Sequence, residues 1–134
     1  MTPEEWVRQN FLAYLLRVQQ YPSTLIALEK QIRVGELIKR FDILVYDSQH
    51  QPWMMVECKA PEVPLTESTL QQVLRYHIST PAKYLVITNG KATMGWEKKM
   101  GNWCCCQQYH HGLKCNRISQ TGHCSGNDHH DRMQ

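Results

Sequence analysis

Apolar and polar positions alternate most clearly in the middle of the chain. Two short apolar runs, 41–46 (FDILVY) and 53–58 (WMMVEC), flank the polar connector Asp47-Ser48-Gln49-His50-Gln51 and Pro52. Alternation of faces predicts a strand for each run, and the connector predicts a hairpin. Upstream, Ile26, Leu28, Ile32 and Val34 alternate with Ala27, Glu29, Gln31 and Arg33. That pattern predicts a first strand over 25–34, with a turn at Gly35-Glu36. Residues 3–20 carry Trp6, Val7, Phe11, Leu15 and Val18 at helical spacing, the buried stripe of a first helix. Thr2 caps this helix, Pro3 suits its first turn, and Glu5 completes a Thr-x-x-Glu capping box.

Beyond the hairpin, Ala60-Pro61 stops the sheet, because proline cannot donate to a ladder. A polar linker over 62–67 follows, and Thr66 caps a second helix that ends near Ser79. Leu70, Val73, Leu74 and His77 face the sheet from it. Tyr84–Thr88 is apolar throughout, as a central parallel strand would be. The right-handed crossover rule places it beside the third strand. Asn89-Gly90 signals a turn, and 92–96 is a fifth strand. The prediction is an α/β chain: helix, three antiparallel strands, helix, strand, strand.

The hairpin also concentrates charge. If Asp47 pairs with Pro52, then Asp42 lies opposite Glu57, and Lys59 shares the face of Glu57. Two opposed carboxylates cost stability without a counter-charge between them. A divalent cation is the simplest counter-charge, and oxygen donors select a hard one such as magnesium or manganese. The bland alternative is a surface salt bridge, which is worth little in stability.

Composition narrows the picture. The 134 residues suffice for one modest core. No apolar run reaches the length of a membrane span, and the first eight residues lack a signal-peptide pattern, so no membrane partner and a cytoplasmic location are expected. The net charge of +3 is uneven: residues 1–97 hold ten Lys/Arg and ten Asp/Glu, residues 98–134 five and two. Phosphate binding in the first part therefore needs a local patch. Five of the six cysteines lie beyond residue 103, while Cys58 reads as a small buried hydrophobe within a strand. A disulfide framework does not fit a cytosolic chain. Residues 104–134 are polar, rich in Cys and His, and aperiodic. They read as a disordered tail, with zinc the competing reading, although no Cys-x-x-Cys pair is present.

Asp42, fourteen residues, then Glu57-Cys58-Lys59 resembles the PD-(D/E)xK nuclease motif, with Phe41 where the motif has proline. Thr2-Pro3-Glu4-Glu5-Trp6-Val7-Arg8, Lys39-Arg40-Phe41-Asp42-Ile43, Val56-Glu57-Cys58-Lys59-Ala60-Pro61, Gln72-Val73-Leu74-Arg75-Tyr76 and Thr88-Asn89-Gly90 occur in the order seen in one branch of that superfamily. Together they resemble the N-terminal nuclease domain of type I restriction enzyme R subunits over residues 2–103. The resemblance implies a restriction-endonuclease-like fold, a mixed sheet of about five strands flanked by two helices. It implies a magnesium-dependent deoxyribonuclease in which Asp42, Glu57 and the backbone carbonyl of Cys58 hold the metal and Lys59 assists catalysis.

It gives Glu5, Gln72 and Tyr76 auxiliary roles, against plain capping for Glu5 and a half-exposed helix face for the other two. Glu29 resembles an acidic position of the family's first strand, against a solvated edge charge. Arg40 and Arg75 become candidate phosphate contacts. DNA is the implied substrate, with restriction-modification or helicase subunits as partners in trans. The domain would occupy 1–103, and the polar tail from Cys104 would be natural or the product of a shifted reading frame. A non-catalytic nucleic-acid-binding or scaffold module on the same fold is the alternative function. A zinc-binding interaction module built on the tail is a third reading.

Overall fold

The computed structural model describes residues 1–109, 112–118 and 124–125, with side chains through residue 106. It is a mixed α/β arrangement of one sheet and two helices. Helix α1 spans Pro3–Arg17, and the capping box between Thr2 and Glu5 forms as the sequence predicts. A 3-10 turn at Ser23–Leu25 leads into β1, Ile26–Val34, followed by β2, Leu37–Tyr46, and β3, Pro52–Cys58. Helix α2, Glu67–Tyr76, is capped by Thr66 and ends before the predicted limit. Strands β4 (Tyr84–Thr88), β5 (Thr93–Lys99) and β6 (Asn102–Tyr109) follow. These six strands form the body of the sheet, one more than expected. Two further backbone strands, β7 (Gly112–Ile118) and β8 (Cys124–Ser125), extend it at the β6 edge.

The strands lie in sequence order. Every pairing is antiparallel except β3 with β4, which is parallel. Helix α2 is the crossover that a parallel pair needs. Alternate side chains fill two apolar layers. Val7 and Leu15 of α1 pack with Ile43, Val45, Met54, Val56 and Cys58 on one side. Leu44, Met55, Leu85, Ile87, Trp96 and Trp103 pack with Val73 and Leu74 of α2 on the other.

Three expectations change. Trp6 and Val18, predicted in the buried stripe of α1, are 51% and 65% exposed, and Val7 and Leu15 carry the burial instead. The strict alternation of β1 breaks at Glu29. Ile26 packs on the α1 side, whereas Ile32 packs on the α2 side, although six residues separate them. The cause is local: Glu29 has a left-handed φ of +50°. Its neighbours pair normally, Leu28 with Ile43 and Lys30 with Phe41. The sequence reading places the end of the first domain at residue 103. That position falls inside β6, where Trp103, Cys104 and Cys105 are all buried. Cys104 is disulfide-bonded, against the expectation of no disulfides. Residues 110–111, 119–123 and 126–134 of the predicted polar tail lie outside the described residues.

Candidate active site

The site grows from the β2–β3 ladder. Val45 pairs with Met54, Leu44 with Met55 and Ile43 with Val56. One step further along this register stand Asp42 and Glu57. The register slips between Val45 and Tyr46, so that Tyr46, not Asp47, meets Pro52. Asp47 instead closes the turn, its Oδ1 accepting from the backbone N–H groups of Gln49 and Gln51, each at 2.9 Å. The slip lies on the turn side of the apolar pairs, so the predicted opposition of Asp42 and Glu57 survives it.

Asp42 Oδ2 accepts from the backbone N–H of Cys58 at 2.7 Å. That bond ties the strand end of β3 to the carboxylate. Burial pushes the Asp42 carboxyl up to about 6, with the charge of Glu57 adding to the rise and the Cys58 hydrogen bond opposing it. The Cys58 thiol is buried and pushed up to about 12, first by burial and then by Asp42, so it stays protonated. Glu57 divides its two oxygens. Oε2 lies 3.6 Å from Lys59 Nζ, and Oε1 lies 3.4 Å from His77 Nε2. The Lys59 backbone N–H donates to Thr88 O at 2.8 Å, which continues the β3–β4 pairing past Cys58.

A cleft of about 380 Å³ opens over this point. Four carboxylates line it, those of Glu4, Glu29, Asp42 and Glu57, together with Arg8, Arg40, Phe41 and Tyr76. Arg8 pairs with Glu29 at 3.0 Å. A larger groove of about 550 Å³ lies between α1 and strands β4 and β5, but among the described residues no carboxylate lines it. The structure thus brings together Asp42, Glu57, Lys59, Arg40 and Tyr76. Gln72 and Arg75 are exposed on α2 and do not line the cleft. Glu5 is occupied elsewhere: its Oε1 accepts from Thr2 N–H at 2.9 Å in the capping box. Capping accounts for Glu5, and Glu4, one residue earlier, faces the cleft. The sequence held a signal for Glu4, because Glu4 and Arg8 stand four apart on one helix face. From sequence, His77 is a packed or surface histidine rather than a catalyst. It is buried, yet it also touches Glu57.

The donor set suits a hard cation. Magnesium is commonly held by one or two carboxylates together with waters and substrate phosphates. Asp42 and Glu57 supply two carboxylates, and the Cys58 bond to Oδ2 leaves Asp42 Oδ1 as a donor. Among the described residues, no group of three or more His, Cys, Asp or Glu side chains is arranged to hold a metal. A bound ion would therefore draw its remaining donors from backbone, water or phosphate. Among the described residues, no helix is long and apolar enough to cross a membrane.

No curated protein matches the chain. The family model for the N terminus of the type I restriction enzyme R protein matches residues 3–110, most of the sequence and every element of the site. On that match and the geometry it spans, the chain belongs to the type I restriction enzyme R protein N-terminal family.

Proposed function

We propose that this chain is a metal-dependent DNA nuclease module of a restriction system, hydrolysing phosphodiester bonds at the Asp42–Glu57–Lys59 cluster. The observation that carries this reading is the meeting of two carboxylates and an ammonium where the middle of β2 meets the end of β3. One of those carboxylates has its ionisation held up to about 6 by burial and by its partner. Acidic pairs of this kind, lodged in a cleft, are favoured sites for cations. Family membership supports the restriction role, with DNA as substrate and other restriction or helicase subunits as partners.

Asp42 and Glu57 would hold the ion, with the Cys58 carbonyl as a third donor. A magnesium or manganese ion bound there supplies Lewis-acid stabilisation of the charge that builds on the phosphate. Lys59, held beside Glu57 at 3.6 Å, directs its ammonium toward the attacking water or a phosphate oxygen. Arg40, exposed at the cleft rim, contacts the DNA backbone, and Tyr76 forms part of the cleft wall. Arg75, exposed on α2, extends the phosphate track away from the cleft.

The test is plasmid nicking with magnesium, manganese or EDTA, followed by single-turnover rates for wild type and Lys59→Ala. Lys59→Ala lowers cleavage by roughly 10²–10³, the cost of removing one preorganised transition-state stabiliser. DNA binding in calcium changes little, because one phosphate contact is a small part of a multi-contact term. A wild-type chain that binds DNA and cuts with neither metal is a binding module. A Lys59→Ala variant that cuts at the wild-type rate removes the role given to Lys59.

A further inference from the structure

We propose that His77 is a positioning residue, whose Nε2–H donates to Oε1 of Glu57 and fixes that carboxylate for a cation. The proposal rests on reading Glu57 as a metal-binding carboxylate. His77 follows α2 directly, and its side chain is 1% exposed. Its Nε2 lies 3.4 Å from Glu57 Oε1, and its Nδ1 is buried without a hydrogen-bond partner. A carboxylate can only accept, so a bond here needs the proton on Nε2. With the proton on Nε2, the unpartnered Nδ1 is a bare acceptor and not an orphaned N–H donor, which is the rarer fault in buried sites. The two observations select one tautomer.

The ring is also clamped. It stacks on Phe41, with centroids 5.3 Å apart, and meets Tyr76 edge-on at 4.7 Å. The His77 backbone carbonyl accepts from the Thr80 hydroxyl at 2.6 Å. A buried ring packed against two aromatic rings and held at its backbone is poorly suited to exchanging with solvent. It is well suited to holding another group still. With Oε1 turned to His77 and Oε2 to Lys59, the Glu57 carboxylate has a single preferred orientation. Groups behind a metal ligand orient it in this way, and their loss typically costs about 10- to 100-fold in metal affinity or activity.

The experiment combines nitrogen NMR of ¹⁵N-histidine-labelled protein with manganese titration of wild type, His77→Phe and His77→Gln. His77→Phe keeps the aromatic packing and identifies the His77 signals by their loss. His77→Gln keeps a donor near the Nε2 position. The expected result is an Nε2–H tautomer for His77 that is perturbed by Glu57→Gln. Manganese affinity should fall roughly tenfold or more in His77→Phe and stay close to wild type in His77→Gln. An Nδ1–H tautomer, or equal manganese affinity in wild type and His77→Phe, overturns the role of His77 alone. A wild-type chain with the expected tautomer that binds no manganese overturns the metal reading and the proposal together.

Discussion

Asp42 lies between two ladders that treat it differently. On the β3 side the pairing is regular from Val45–Met54 to Ile43–Val56, one step short of Asp42 and Glu57, and the N–H of Cys58 bonds to the Asp42 side chain. On the β1 side the register is the same above and below, but the pair that would join Glu29 to Asp42 is missing. There Glu29 takes a left-handed φ, and side chains two apart on β2, Phe41 and Ile43, enter different apolar layers. The regular ladder fixes where the carboxylates are. The irregular one releases Asp42 from alternation and opens the cleft edge to Glu4, Arg8 and Glu29. Interruptions of this kind at a sheet edge commonly re-aim side chains at sites of function.

The largest effect comes from breaking the regular ladder. Met55 is fully buried and pairs with Leu44. Met55→Ala should lower unfolding free energy by about 2–5 kcal/mol, the usual cost of a large buried deletion, read by denaturant melts. A loss confined to the fraction typical of surface changes would mean that this ladder does not anchor the core.

That ladder is also the part most legible in sequence. The apolar runs over 41–46 and 53–58, with their polar connector, suffice to set Asp42 opposite Glu57. The slip at Tyr46 did no harm because the apolar pairs, not the turn, govern the register. Helix α2 was legible for the same reason: Val73, Leu74 and His77 share one apolar stripe and are buried. Helix α1 and its cap were legible but its buried face only in part, since apolar residues lie on several of its sides and periodicity cannot choose among them. The choice between Glu4 and Glu5 turns on about 100° of helix rotation and on where the edge of β1 lies. The break at Glu29 left no mark, because glutamate gives no sign of a left-handed φ. The strand beyond residue 103 was hidden by a run of cysteines, CCC, which reads as metal chemistry before it reads as buried sheet.

The middle-sized effect depends on pH. Asp42 titrates at about 6 in the fold, above its ordinary 3.8. Between those values the folded chain holds a proton that the unfolded chain has lost, so stability falls as pH rises through this window. Below it Asp42 costs nothing, and above it the cost is complete. Asp42→Asn keeps an oxygen for the Cys58 N–H and removes the ionisation. Thermal melts without metal should show the variant level with wild type near the bottom of the window and more stable above pH 6. A stability difference that does not vary with pH would mean that the carboxylate ionises without strain.

The smallest effect sharpens the contrast between the ladders. At Glu29 the left-handed φ disfavours any residue with a Cβ, most of all a branched one. Glu29→Gly should exceed Glu29→Val in stability by about 1–2 kcal/mol. At Ile32, three residues on in regular pairing with Lys39, the order should reverse, since glycine weakens an ordinary strand. The same order at both positions would remove the distinction drawn between the two ladders.

The central claim is that Asp42 and Glu57 together make one cation site. Calorimetric titration of manganese into wild type, Asp42→Ala and Glu57→Ala at a pH above 6 tests it most directly. Circular dichroism and thermal melts on the same samples establish that each variant is folded. The account predicts one binding event in wild type, its loss in both variants, and variants as stable as the metal-free wild type or slightly more so. Unchanged manganese binding in either folded variant would contradict it.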